Sequence, residues 1–140
     1  IFSSCLLEHE LAWFDAALDL IAEAGQRRRA LHANARQVRE GLRELGYNVD
    51  DGTEQIIALE AGPEPKTLAL RKALERRGVY GAVFCAPATA KNRSLVRLTL
   101  NSGLTSNDIR RLLDACDDMR QEVDLESWSS TRRSRRLTLV

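Results

Sequence analysis

The sequence predicts an α/β fold, a short sheet with helices packed on one face, preceded by long helices. Three observations predict it. Apolar residues step by three and four between residues 7 and 45, the spacing of a single stripe along a helix. Residues 95–100 alternate instead, with Val96, Leu98 and Leu100 on one side and Leu95, Arg97 and Thr99 on the other, the period of a half-buried strand. Between them lie an apolar run at 56–59, a helical pattern to residue 77 and a second apolar run from 79, and strand, helix and strand in that order make a crossover unit.

Taken in order, Leu7, Leu11, Phe14, Leu18 and Ile21 place a stripe on a helix over 8–24, and that stripe needs a neighbour to cover it. Gly25 interrupts, and Leu31, Ala35, Val38, Leu42 and Leu45 continue the stepping to Gly46, a good C-terminal stop. A glycine inside a helix costs only about 1 kcal/mol, so one bent helix and two separate ones are both compatible with the pattern. Asp50-Asp51-Gly52-Thr53 is turn chemistry. It leads into Ile56-Ile57-Ala58-Leu59, which reads as a buried strand closed off by Pro63 and Pro65. Leu70, Ala73 and Leu74 mark a helix over 65–77 that Gly78 ends, and residues 79–86 return as a second strand. Thr105 with Asp108 three positions on is a capping-box-like start, with Asp where Glu or Gln is usual, and Ile109, Leu112, Leu113, Cys116 and Met119 form the clearest helical stripe of the chain. After Trp128 the pattern dissolves into serine, threonine and arginine. The expected division is therefore helices over 1–46, a small α/β unit over 47–122, and a flexible C-terminal tail over 123–140.

With 44% hydrophobic and 29% charged residues, the composition excludes a disordered or fibrous chain. A net charge of +1 creates no global field for nucleic acid or a membrane surface, so neither is expected as a partner. The charge is distributed in blocks. Glu8, Glu10, Asp15, Asp19 and Glu23 make the first helix acidic, and Arg27, Arg28, Arg29, Arg36, Arg39 and Arg43 make the second basic, both read as solvated faces. Four arginines between 132 and 136 form a basic run too short to define a nucleic-acid site. Cys5, Cys85 and Cys116 are odd in number and far apart, with no second ligand at metal spacing, so no disulfide framework or metal site is expected and a reducing cytoplasm fits. No apolar run approaches the roughly 20 residues that span a bilayer.

Arg97 is the leading binding candidate. A guanidinium offers parallel donors matched to a carboxylate, and a strand holds that fork more rigidly than a loop. Periodicity alone favours the plainer reading, an exposed sheet arginine in a surface ion pair. The loop Pro87-Ala88-Thr89-Ala90 uses proline to stiffen the approach to the arginine strand, with Thr89 placed to face a cleft. Ser3 and Ser4 carry hydroxyls that suit phosphate oxygens, although serines near a terminus are ordinarily just polar. Cys85 and Cys116 lie on apolar patterns and read as core, while His9 and His32 pair with no carboxylate at a useful spacing, so no residue of the chain is assigned as catalytic.

The run Gly81-Ala82-Val83-Phe84-Cys85-Ala86-Pro87-Ala88-Thr89-Ala90-Lys91-Asn92-Arg93-Ser94-Leu95-Val96-Arg97-Leu98-Thr99-Leu100, with the opening Ile1-Phe2-Ser3-Ser4-Cys5-Leu6-Leu7, resembles the C-terminal part of pyridoxal-phosphate-dependent α-oxoamine synthases of the aminotransferase class I/II fold. Gln55-Ile56-Ile57-Ala58-Leu59-Glu60 and Phe84-Cys85-Ala86-Pro87-Ala88-Thr89 are similar to the quorum-sensing autoinducer synthases within that group. The resemblance implies the small C-terminal domain of fold-type I pyridoxal-phosphate enzymes, with 1–46 as interdomain and dimer helices and 47–122 closing over substrate. It implies that Arg97, in its Arg-x-Thr setting, binds the carboxylate of an amino-acid substrate, with Thr89 beside it. Ser4 first, and Ser3 second, would bond the cofactor phosphate of the neighbouring subunit in a homodimer. The implied reaction condenses an amino acid or derivative with an acyl thioester to give an α-aminoketone or hydroxyketone autoinducer precursor. This sequence departs from the family pattern at Ala88 and Ala90, where relatives often have a threonine or valine and a second proline, and around Leu7 and Glu8, where prolines are common.

Pyridoxal phosphate needs a lysine amine, and none of Lys66, Lys72 or Lys91 stands where the family places it, shortly upstream of the Phe2-Ser3-Ser4 segment. The isolated chain is accordingly expected to be inactive and to act as part of a longer transferase. The alternative is a stand-alone, non-catalytic module for dimerisation or partner binding, derived from such an enzyme.

Overall fold

The helical stepping of the first 45 residues is realised as two helices rather than one. In the computed structural model, which describes residues 7–49 and 52–131, α1 (Glu8–Glu23) stops at Ala24, whose ψ of 19° leaves the helical range, and α2 (Gly25–Glu44) starts at once. Gly46, at φ +88°, then turns the chain out of α2, a left-handed conformation that suits only glycine without strain. There follow β1 (Ile56–Gly62), α3 (Glu64–Arg76), β2 (Ala82–Phe84), β3 (Ser94–Thr99), α4 (Ser106–Asp118) and a 3-10 turn over Leu125–Ser127.

β3 is the central strand and runs antiparallel to both neighbours, in the order β1-β3-β2. β1 and β2 are therefore parallel to one another, and α3 is the crossover that joins them with β3 between, as the strand-helix-strand order predicts. The expected second strand is shortened from 79–86 to three residues. Gly78 holds φ +75°, and Gly81 lies so close to Val96 and the backbone of Arg97 that a Cβ would collide there. At the other end, Pro87 has no N–H to donate.

Ile57, Leu59 and Ala61 of β1, with Val96 and Leu98 of β3, face one side of the sheet and are buried. They form one cluster with Ala35, Val38 and Leu42 of α2, Leu70, Ala73 and Leu74 of α3, and Ile109 and Cys116 of α4. Thr105 caps α4 as its sequence predicts: its Oγ1 accepts from the Asp108 amide at 3.2 Å, and Asp108 Oδ2 accepts from the Thr105 amide at 2.9 Å. The Thr105 hydroxyl also donates to Asp108 Oδ2 at 2.6 Å, and this bond first, with the Thr105 amide second, holds the Asp108 carboxyl below the usual aspartate range.

Four expectations are corrected. Residues 56–59 are not a wholly buried strand; they alternate, with Ile56 44% exposed and Ile57 fully buried, because helices cover only one face of the sheet. The segment 123–131 is not the start of a flexible tail. Val123, Leu125 and Trp128 are buried in the main core, and Trp128 meets Tyr47 edge to face with ring centroids 5.6 Å apart. Its indole Nε1–H donates to the Val123 carbonyl at 3.0 Å, and Ser130 Oγ donates to the Glu60 carbonyl at 2.6 Å, which ties this segment to β1. Nor is the basic side of α2 merely solvated. Arg39 is buried and its Nη2 donates to the carbonyls of Glu54 and Ile56, so the helix fixes where β1 begins. Finally, the stripe of α1 has no cover among the described residues: no α1 residue is buried, and Leu11, Trp13, Phe14, Leu18, Leu20 and Ile21 are all exposed. No helix among the described residues is long and apolar enough to cross a membrane.

Candidate functional site

The face of the sheet turned away from the helices is the candidate site. Because side chains alternate along a strand, burying Val96 and Leu98 commits Leu95, Arg97 and Thr99 to the opposite face. There they join Ile56 and Ala58 of β1 and Ala82 and Phe84 of β2, to which the ladder pairs them. An open cleft of about 320 Å³ lies on this face, lined by Ile56, Ala58, Phe84, Ala88, Thr89, Leu95 and Arg97. Its walls are almost wholly apolar, and Arg97 is the one charge among them.

The register shapes the space around that charge. Arg97 stands opposite Ala58 on one side and Ala82 on the other, two side chains too small to fill the surface beside it. The guanidinium lies instead against the ring of Phe84, with Cζ 4.5 Å from the ring centroid. Arg97 enters none of the ion pairs among the described residues, and its Nε is buried without a hydrogen-bond partner there. Among the described residues, then, the arginine makes no surface ion pair.

The loop from 85 to 93 forms the rim. Its Ala86-Pro87 peptide is cis, the Thr89 amide donates to the Cys85 carbonyl at 3.2 Å, and the Arg93 amide donates to the Ala90 carbonyl at 3.0 Å. Arg93 then reaches β1, where its Nη2 lies 3.0 Å from Glu60 Oε2, and that pairing raises the arginine's already high pKa. These bonds set Thr89 at the cleft, where its Oγ1 is buried and has no partner among the described residues. Arg97 and Thr89, each with a buried donor that has no partner among the described residues, therefore line one apolar cleft. A buried polar group without a partner costs about 1–3 kcal/mol, so two of them on residues that line one cleft fit a site made for an acceptor such as a carboxylate.

Of the residues singled out in the sequence, Arg97 and Thr89 come together; Ser3 and Ser4 lie outside the described residues. No lysine lines the cleft. Lys66 bonds Ser127 Oγ and approaches Asp124 from α3, where it ties the helix to the 3-10 turn. The described residues thus fit an anion but provide no amine for pyridoxal phosphate at this cleft. Among them there is also no group of three or more residues able to hold a metal ion. Sequence reasoning alone does not find Phe84, Ile56 and Ala58 as site residues. The usable signal is the alternation of β1, which puts Ile56 and Ala58 on the arginine's face once the strands are paired in register.

The chain matches the family model described as aminotransferase class I and II over residues 1–116. It is 40% identical over 126 residues to a CAI-1 autoinducer synthase of Vibrio campbellii, covering 90% of this chain and 32% of that protein. It is 36% identical over 118 residues to a putative 8-amino-7-oxononanoate synthase of Paramagnetospirillum magneticum, covering 84% and 30%. Among solved structures, the fold matches the serine palmitoyltransferase of Sphingomonas wittichii with a TM-score of 0.80 at 23% identity, over 89% of this chain and 32% of that one. The chain spans about one third of the length of the curated relatives it matches. These relatives agree with the α-oxoamine synthase resemblance carried by the proline loop and the arginine strand, and the chain belongs to the aminotransferase class I and II family.

Proposed function

We propose that the intact protein is a pyridoxal-phosphate-dependent acyltransferase, and that this chain contributes the wall of the active site that grips the amino substrate's carboxylate. The observation that carries the reading is that Arg97 and Thr89, each with a buried unsatisfied donor (Nε and Oγ1), line one apolar cleft. The substrates on this reading are an amino acid or derivative and an acyl thioester, and the product is an α-aminoketone or hydroxyketone autoinducer precursor; the similarity to a CAI-1 autoinducer synthase supports that choice. Arg97 receives the carboxylate through its in-plane N–H groups, Thr89 donates its hydroxyl to the same oxygens, and the apolar walls keep water from competing for them. Pyridoxal phosphate, when bound, supplies the electron sink for the bond changes at the carbon beside that carboxylate. Its phosphate is contacted by Ser4 and Ser3 of the neighbouring subunit in a homodimer, and its lysine lies outside this chain. Helices over 1–46 link the cofactor-bearing part to the unit over 47–122 that closes on substrate.

Replacing Arg97 with alanine in the intact protein tests this directly. The amino-substrate KM is expected to rise at least tenfold while the acyl-donor KM stays within twofold, because a charge-assisted hydrogen bond contributes about 1.5–3 kcal/mol. Equal changes in both would remove the assignment.

A second reading, a non-catalytic dimerisation or partner-binding module, is favoured by one observation: α1 leaves its large apolar side chains exposed. Adding a separately expressed cofactor-bearing segment separates the two. Restored cofactor absorbance and turnover support the enzyme; association without either supports the module.

A further inference from the structure

We infer that Phe84 is a positioning residue for Arg97, holding the guanidinium over the face of its ring without neutralising the charge. The inference rests on the reading of Arg97 as the carboxylate grip. Phe84 pairs with Leu95 and Ala82 pairs with Arg97, so Phe84 and Arg97 are diagonal neighbours on one face of the β2–β3 ladder. Alanines directly opposite Arg97 on both sides leave room for the side chain to lie down along the sheet, and it settles with Cζ 4.5 Å from the ring centroid. That is within the roughly 6 Å over which a ring face attracts a cation.

The kind of restraint matters. A carboxylate would also immobilise Arg97, but it would occupy the donors that an incoming anion needs and cancel the charge that attracts it. A ring attracts the cation through its π face and offers no lone pair or opposite charge, so it leaves the N–H groups available to an anion. It also keeps water from one face, which strengthens the bonds formed at the edge. Arg97 enters no ion pair among the described residues, so within them the ring is the contact that complements its charge before a ligand arrives.

The test uses the intact protein loaded with pyridoxal phosphate and compares Phe84→Leu, Phe84→Met and Phe84→Trp. L-Serine and L-alanine serve as probes, with the cofactor absorbance reporting their dissociation constants. Leu and Met keep an apolar side chain but lose the ring face, and each is expected to weaken probe binding about 3- to 30-fold, the span of a cation–π contact from exposed to desolvated. Trp is expected to bind within twofold of the parent, and the acyl-donor KM is expected to stay unchanged in all three. A second readout needs no ligand: the Arg97 Nε–H proton resonance, shifted upfield by the ring, is expected to return toward its ordinary position in Phe84→Leu and to stay shifted in Phe84→Trp. Leu and Trp variants that bind alike, or a resonance indifferent to the ring, would overturn the inference. If Phe84→Leu does not fold, the Met and Trp pair carries the same comparison. Should Arg97→Ala weaken the probes while Phe84→Met does not, only the role of Phe84 fails; should Arg97→Ala leave them unchanged, the carboxylate grip itself fails.

Discussion

Replacing Trp128 with alanine tests whether the last described segment is part of the core. Trp128 is 1% exposed, stacks edge-on against Tyr47 and donates its indole N–H to the Val123 carbonyl. Truncating a buried tryptophan costs about 3–5 kcal/mol, including the space left behind. Against a total stability of about 5–15 kcal/mol, such a loss brings a domain near the low end close to unfolding. A phenylalanine at the same position would keep an aromatic ring but leave the Val123 carbonyl without this donor, so Trp128→Phe is expected to cost less, about 1–3 kcal/mol. The assay is urea unfolding of the chain by far-UV circular dichroism. A parallel fluorescence trace in a Trp13→Phe background, where Trp128 is the sole tryptophan, follows the same transition. Because Trp13 is 79% exposed, that background change is expected to be nearly neutral. A Trp128→Ala variant within about 0.5 kcal/mol of its parent, the range of an ordinary surface substitution, would refute the reasoning and return the segment to the status of a tail.

Two further outcomes follow from local geometry. Gly62 holds φ +101°, and a Cβ there would collide with Ser129 Oγ and press on the Asn92 carbonyl, so Gly62→Ala is expected to lose about 1–3 kcal/mol in urea unfolding; an unchanged midpoint would show that the end of β1, where the register with β3 shifts between Glu60 and Gly62, relaxes freely. Burial pushes the Cys116 thiol up to about 12, and burial likewise raises the Tyr47 hydroxyl, which donates to the Cys116 carbonyl at 2.7 Å. Both groups stay protonated in the fold at pH values where the unfolded chain ionises. Stability is therefore full below pH 9, the ordinary thiol value here, and falls as pH rises from there toward 12. Cys116→Ala is expected to flatten part of that alkaline loss in urea midpoints measured from about pH 8 to about pH 11, and an unaltered slope would count against the burial.

The features legible in the sequence are those that repeat. The alternation through β3 places Arg97 opposite the core, and Thr105 with Asp108 announces the start of α4, because both signals are local and periodic. Glycines at 46 and 78 end helices where left-handed backbone is needed. The burial of Trp128 is not legible, because its neighbours Ser127, Ser129 and Ser130 carry no periodicity and the burial depends on Tyr47, brought near by the fold rather than by the sequence interval. Arg39 is hidden for the opposite reason: it sits in a regular basic pattern, and the carbonyls that bury it belong to another element. The Phe84 contact arises only from strand register, which pairs Phe84 with Leu95 and sets the ring diagonally beside Arg97.

Register also makes the core and the cleft a single device. Shifting β3 by one residue against its neighbours would turn Arg97 into the face held by Ile57, Leu59 and the helices, and turn Val96 and Leu98 out toward the cleft. An unpaired arginine buried there would cost several kcal/mol, so the packing of Val96 and Leu98 is also what aims the guanidinium outward. Antiparallel neighbours on both sides remove the freedom an edge strand would have, and Arg93 fastens the rim of the loop to Glu60 of β1. The segment after α4 fastens to the same residue from the other direction, through Ser130 and the Glu60 carbonyl. Arg97 is thus aimed by the register of the sheet and Thr89 by a loop fastened to β1, which is the kind of rigidity a carboxylate grip needs, since a misplacement of about 1 Å can cost a hundredfold in rate.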